Sequence, residues 1–260
     1  MIKFHSLFSG SSGNSLLIQT DNTSILIDAG VSCKKLVSSL QDLNISIEKI
    51  DAIFVTHEHS DHVKSVGTIS KTYDIPVFAS KKTWEAMEEQ KNKISYSNQK
   101  AFNICEEFNL NDIKILPFHT PHDAVEPCGF NFFCENKKIT IATDLGHMNN
   151  NLLKNLEGSD FMLLESNYDP EILKFSRYPS FLKQRIKSNL GHLSNYAAGE
   201  TIVNLIPSGV KNVMLGHMSK ENNFPELAYE TVLEQLRNSN CKLDNLTIAY
   251  ANNCSDIVIN

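Results

Sequence analysis

The chain has 260 residues, enough to bury a substantial core, and its 41% hydrophobic and 21% charged content excludes wholesale disorder and collagen-like or coiled-coil architectures. A formal net charge of -6 argues against a protein that grips nucleic acid through an overall basic surface, so any basic patch has to be local. No apolar run approaches ~20 residues, "MIKFHSLFSG" lacks the apolar stretch of a signal peptide, and the six cysteines (33, 105, 128, 134, 241 and 254) form no CxxC pair, so the expectation is a soluble, cytosolic chain with reduced thiols and no membrane partner.

In chain order, alternating apolar positions at 2–8, 15–19 and 24–28, separated by "SGSSGN" and "TDNT", predict a short antiparallel meander. Ser32 opens a helical pattern to about Leu43, with Leu36, Val37 and Leu40 on one face. "AIFV" at 52–55 reads as a buried strand and 61–73 as a helix leaving it. Further strands fit 76–79, 113–118, 129–135, 138–143, 160–165, 211–215, 246–250 and 256–259, and helices fit 81–91, 149–156, 179–189, 195–206 and 225–238. The mixture suits one sheet-rich, layered α/β domain over residues 1–260, without a linker or tandem repeat. A weaker echo pairs "SILIDAG" with "TIATDLG", strands ending in Asp, and "IFVTHEH" with "VMLGHMS", strands ending in His, as two similar half-sheets meeting at one site would require.

The chemistry concentrates in "THEHSDH". His57 and His59 are two residues apart and can turn toward one ion, with Asp61 and His62 further round the turn. Imidazole and carboxylate are ligands that zinc, manganese and iron accept, and crowding four ionisable groups without a cation is costly. His147 and His5 read as ordinary structural residues.

"HEHSDH" resembles the signature of the metallo-β-lactamase superfamily, which implies an α/β (α+β) fold, a four-layered αββα sandwich with a metal site at one edge. Its other segments have matches in order: Asp28 in "ILIDAG", His122 in "PHDAVEPCGF", Asp144 in "IATDLGH" and His217 in "MLGHMSKENN". The resemblance implies one divalent metal held by His57, His59 and His122 and a second by Asp61, His62 and His217, with Asp144 and a water or hydroxide between them and Asp28 supporting the histidines from behind. His119, three residues before His122, is the alternative third ligand. Two such ions, Zn or Mn with Fe possible, suit hydrolysis, and Asp61 counts as catalytic through them.

Residues between Asp144 and His217 narrow the reaction. Glu165 ends a strand in "FMLLESN" and His192 precedes a helix in "SNLGHLSNYAAGE". They resemble the pair of tRNase Z-type nucleases in which a glutamate orients a histidine that protonates the leaving oxygen, which matters because alkoxide leaves poorly. Residues 172–190 contain Lys174, Arg177, Lys183, Arg185 and Lys187 and no acidic residue, a local set that could hold a phosphate backbone, with Tyr168, Phe175, Tyr178 and Phe181 as stacking surfaces. "SGSSGNS" (9–15) and "GHMSKENN" (216–223) read either as loops that cradle an oxyanion or as a hairpin turn and a helix entry.

Together with "PHDAVEPCGF" and "GHLSNYAAGE", these segments closely resemble the YycJ (WalJ) family over nearly the full chain. That resemblance implies a metal-dependent phosphodiesterase, a 5′-to-3′ DNA exonuclease whose partner is nucleic acid, with no obligate protein partner. The 73 positions between Asp144 and His217 leave no room for the inserted domain of β-CASP nucleases, no flavodoxin-like or rubredoxin-like segment is expected, and no long arm of the tRNA-gripping kind is present. A small-molecule hydrolase of a thioester, lactone or cyclic nucleotide is the alternative, and a non-catalytic binding protein on the same fold is a third reading, disfavoured because no ligand is missing.

Overall fold

The computed structural model describes residues 1–259. In chain order its strands are β1 (Ile2–Phe8), β2 (Ser15–Gln19), β3 (Ser24–Ile27), β4 (Ala52–Phe54), β5 (Val77–Ser80), β6 (Gln99–Phe102) and β7 (Phe108–Leu110). There follow β8 (Ile113–His119), β9 (Cys128–Cys134), β10 (Lys137–Ala142), β11 (Phe161–Glu165), β12 (Asn212–Gly216), β13 (Asn245–Ile248) and β14 (Ser255–Ile259). One seven-stranded sheet runs β14-β1-β2-β3-β4-β5-β6 and the other β13-β12-β11-β10-β9-β8-β7.

Both sheets are mixed, and their mixtures match. β2 and β3 are antiparallel, then β3, β4, β5 and β6 run parallel. In the same way β9 and β10 are antiparallel, then β10, β11, β12 and β13 run parallel. The topology thus makes β3 the counterpart of β10, in agreement with the paired "SILIDAG" and "TIATDLG". The second half of the echo is corrected. β4, which carries "IFVTHEH", corresponds to β11 rather than to β12 with "VMLGHMS".

The chain packs as two compact units. The first comprises Met1–Pro117, Ala124–Cys128 and the stretch from Tyr250 onward; the second comprises Phe118–Asp123 and Gly129–Ala249. In the first, helix Cys33–Asp42, capped by the Ser32 hydroxyl accepting from Lys35 N, lays Leu36 and Leu40 on a core that includes Leu26, Ile53, Val66 and Trp84. Each fully buried Leu or Ile is worth roughly 1.5–3 kcal/mol over exposure. In the second, helix Asn195–Leu205 turns Ala198, Ile202 and Leu205 toward Leu164, Val213 and Leu215 of the sheet.

The expected helix over 61–73 is broken into Ser60–Val63 and Val66–Tyr73. Continuation would need Ser65 N–H to reach the Asp61 carbonyl, but that carbonyl accepts from Asn14 N (2.8 Å) and Ser65 N–H donates to Ala29 O (2.9 Å). The expected helix over 81–91 likewise bends at buried Met87, which lets Gln90 Oε1 accept from Gly67 N–H. Among strands and α-helices of the described residues, three elements were not expected. β6 is a polar strand beside β5, β7 is a three-residue strand joined to β8 by a turn with Asn111 at φ 50°, and Pro170–Phe175 is a helix. The helix had a sequence signal, since Asp169 caps it and Pro170 opens it. All six cysteines are free among the described residues.

Candidate active site

In the first unit the site is built from two strand ends. β3 stops at Ile27, and Asp28 follows at φ 62°, a left-handed conformation that Asp tolerates better than most residues. That turn buries the Asp28 carboxylate, which accepts from Thr56 N (2.9 Å), from the Thr56 hydroxyl (2.8 Å) and from His62 Nδ1 (2.7 Å). A carboxylate with these partners can only accept, so Nδ1 of His62 carries the proton and its Nε2 keeps a lone pair. His57 is buried, with Nδ1 3.0 Å from the Thr56 hydroxyl and Nε2 3.1 Å from His59 Nδ1. Ring centroids lie 4.7 Å apart for His57 and His59 and 4.1 Å apart for His57 and His62.

The loop before β2 locks this turn. Asn14 accepts from Gly10 N through its side chain (2.9 Å), and its amide nitrogen lies 3.1 Å from His62 Nε2 and 3.4 Å from Asp61 Oδ2. Gly30 is pinned there as well: a Cβ on it would fall 1.6 Å from the Asp61 carbonyl. Asn14 and Thr56 went unrecognised at the level of sequence, although Thr56 directly precedes the histidine pattern and Asn14 ends the Gly- and Ser-rich loop.

In the second unit a different carboxylate does the organising. Glu165, at the end of β11, is fully buried and takes four hydrogen bonds. Its Oε1 accepts from His192 Nδ1 and His217 Nδ1, each at 2.8 Å, while Oε2 accepts from Leu145 N (2.7 Å) and Leu193 N (3.1 Å). Burial pushes this carboxyl up, but the charge of His192 and the two imidazole hydrogen bonds overcome it and hold the group below the usual glutamate value. Asp144 sits at φ 60° and His217 at φ 55°, both turned out of their strands by a left-handed residue. Asp144, Glu165, His192 and His217 each offer a ligand atom within 4.8 Å of the others. His122 is buried, donates from Nδ1 to Gly191 O (3.0 Å), and lies 3.5 Å from Asp144 Oδ1 through Nε2. Burial lowers its pKa, which favours the neutral form a metal needs. His119, by contrast, is exposed at the end of β8.

The donor set fits divalent ions. His62, His122 and His217 each tie Nδ1 to a carboxylate or carbonyl, which fixes the ring orientation and the tautomer in which Nε2 carries the lone pair; on His62 the Asn14 amide, 3.1 Å away, would have to give way to an ion.

The basic run is only partly available. Arg185 pairs with Asp123 through two nitrogens, Lys174 pairs with Glu171 (3.2 Å) and lies over the Phe175 ring, and Lys183 donates to the carbonyls of Lys174 (2.8 Å) and Ser176 (2.7 Å). Arg177 and Lys187 are exposed and belong to no ion pair among the described residues. Of the aromatics, Phe175 and Phe181 are 77% and 72% exposed, whereas Tyr168 and Tyr178 pack with Leu173 and Ile186. "GHMSKENN" serves as a brace. Asn167 Nδ2 donates to His217 O (2.7 Å), and Asn223 Nδ2 donates to Ser166 O (2.9 Å) and Asn195 Oδ1 (2.8 Å). His5 is buried on β1 opposite Asp256, and neither ring nitrogen has a hydrogen-bond partner among the described residues. His147 Nδ1 lies 2.9 Å from Asn189 O. No helix among the described residues is long and apolar enough to cross a membrane.

Residues 9–217 match the model of the metallo-beta-lactamase superfamily, and the metallo-β-lactamase protein YhfI of Bacillus subtilis superposes with a TM-score of 0.73 at 17% identity, covering 98% of this chain and 99% of its own. The fold is therefore the metallo-β-lactamase fold, an α/β sandwich of two mixed sheets flanked by helices, and it implies divalent metal ions. At higher identity, the chain is 41% identical to exodeoxyribonuclease WalJ of Streptococcus pneumoniae over 90% of this chain and 88% of that protein. It is 36% identical to exodeoxyribonuclease YycJ of Bacillus anthracis, over 90% and 89%. The chain belongs to the WalJ/YycJ family of the metallo-β-lactamase superfamily.

Proposed function

We propose that this protein is a metal-dependent phosphodiesterase, an exodeoxyribonuclease that removes nucleotides from DNA in the 5′-to-3′ direction. The observation that supports it most is Glu165, fully buried and holding His192 and His217 at 2.8 Å each, in a chain 41% identical to an exodeoxyribonuclease over nine-tenths of its length. His57, His59 and His122 would hold one divalent ion and Asp61, His62 and His217 a second, with Asp144 shared, and Zn or Mn fits the donors. When bound, such a pair supplies Lewis-acid charge at the phosphate and water of lowered pKa.

The chain's own groups do the rest. Asp28 fixes His62, and with Thr56 it fixes His57. Glu165 takes the Nδ1 proton of His192 as a hydrogen bond and so aims its Nε2 outward; the His192 side chain is 22% exposed while Glu165 is 0%. His192 gives a proton to the leaving sugar oxygen as water adds to phosphorus. Arg177 and Lys187 would hold the phosphate backbone directly, and Lys174, Lys183 and Arg185 would join them only on exchanging their present partners. We read residues 1–260 as a single working domain that acts in the cytoplasm on nucleic acid, DNA in preference to RNA.

The test is incubation of purified protein, loaded with Zn²⁺ or Mn²⁺, with 5′-labelled and 3′-labelled DNA and RNA. Stepwise loss from the 5′ end of DNA is expected. Turnover of a thioester, lactone or cyclic nucleotide with DNA untouched would favour a small-molecule hydrolase, and no turnover with metal loaded would favour a binding protein.

A further inference from the structure

A cleft of about 340 Å³ opens beside His192 within the second unit, inside the ~300–1,000 Å³ range of small-molecule sites. Its lining differs from the segment that precedes His192 in sequence. Residues 172–190 carry five cations, whereas the cleft has no lysine or arginine and one carboxylate, Glu200. A phosphate would find no counter-charge there. An uncharged sugar and base would find amide, carboxylate and imidazole groups, from Asn150, Asn204, Glu200 and His147, and the ring of Tyr168.

We propose that this cleft receives the base and sugar of the 5′-terminal nucleotide of the DNA strand, the leaving group of each cycle, with the 5′-phosphate of that nucleotide left outside the uncharged lining, and that His147, Glu200 and Asn204 recognise its base and sugar. The proposal rests on the phosphodiesterase reading above. In hydrolysis a water oxygen bonds to phosphorus, the bond from phosphorus to O3′ of the terminal nucleotide breaks, and the phosphorus stays on the shortened strand as its new 5′-phosphate; O3′ takes the Nε2 proton of His192, the water proton is lost to solvent, and His192 is reprotonated from solvent. The nucleoside bearing that oxygen therefore has to lie beside His192, and the cleft that His192 lines is sized for a small molecule rather than a strand. Such a cleft makes removal of one residue at a time a property of shape. Amide and carboxylate side chains suit base edges, because Asn both donates and accepts and Glu accepts from an exocyclic amine.

The walls are already set. His147 Nδ1 bonds Asn189 O, Gly146 N–H donates to Pro121 O (2.8 Å), and Gly146 has no room for a Cβ because the Asn189 backbone would lie 2.3 Å away. Opposite, the Ser194 side chain accepts from Ala197 N (3.2 Å) and starts the helix that presents Glu200 and Asn204. A preformed cleft binds without the cost of ordering its own loops.

The experiment compares single strands that end, at the 5′ side, in an ordinary nucleotide or in an abasic tetrahydrofuran residue, with the metal-loaded full chain and a 3′ label. We expect wild-type kcat/KM to favour the ordinary end by at least about tenfold, the value of losing one base contact of the stacking or hydrogen-bonding kind. Glu200→Trp, which fills the cleft, should bring that ratio to about one, and the milder Asn204→Ala should narrow it, with thermal unfolding used to verify that both fold. A wild-type ratio near one, or a ratio unaltered in both variants, would overturn the proposal while leaving the nuclease reading intact. Failure of the wild type to cleave either strand with metal loaded would instead remove the nuclease reading and this inference with it.

Discussion

The two units solve one problem with the same topology and different acids. In the first, the residue after β3, Asp28, is the organiser: it is buried, takes three hydrogen bonds and holds His62 by Nδ1. In the second, the matching place after β10 belongs to Asp144, also at a left-handed turn, but the organiser has moved one strand over to Glu165 at the end of β11. Asp144 is thereby released from support and sits 3.5 Å from His122 Nε2 and 3.5 Å from His217 Nδ1. A topological slot fixes where a side chain points, and the neighbouring strand decides its role.

The comparison breaks first at Glu165. Glu165→Ala strands two imidazoles and two backbone N–H groups in a buried place, so we expect loss of stability of about 3–5 kcal/mol together with loss of activity, read as a lower urea midpoint. If that variant unfolds at the wild-type midpoint, Glu165 is not the organiser. His192→Ala is smaller and more selective: kcat should fall about 10²–10⁴-fold with little change in the urea midpoint, because the His192 side chain is partly exposed and its loss leaves Glu165 with its bonds to His217, Leu145 and Leu193. Full nuclease activity in that variant would remove the proton-donor role.

Asp28→Asn tests the other unit. It keeps size but gives His62 Nδ1 a poorer acceptor, so metal affinity should fall about 10–100-fold by competition with a chelator, and activity should return at high metal concentration. The smallest effect belongs to the surface. Lys187→Ala should leave kcat unchanged and flatten the dependence of log affinity for single-stranded DNA on log salt by about 0.7. An unchanged salt slope would mean that Lys187 does not meet the strand.

Much of this was legible because it is local. The histidine pattern after an apolar strand, the acidic ends of β3 and β10, and the apolar periodicity of helices 33–42 and 225–238 are set by neighbours in sequence. What was not legible depends on distant partners. Nothing near Ser65 says that the Asp61 carbonyl is taken by Asn14, so the break in the helix is invisible in "SDHVKSVGTIS". Nothing within 172–190 shows that Asp123, some sixty residues away, neutralises Arg185, or that Lys183 caps a helix end. A cationic run counts charges, but only the fold says which are spent. The role of Thr56 was hidden for the opposite reason: a hydroxyl between strand and histidines looks ordinary until Asp28 closes on it.

The central claim is that two sets of imidazoles, each oriented by a buried carboxylate, exist to hold divalent ions. It is tested most directly by elemental analysis of the folded, active chain alongside Asp28→Asn, after dialysis against a graded chelator. We expect two transition-metal ions per wild-type chain, lost in step with nuclease activity, and their earlier loss from the variant. A wild-type chain that still cleaves DNA with no such ion bound would contradict the account.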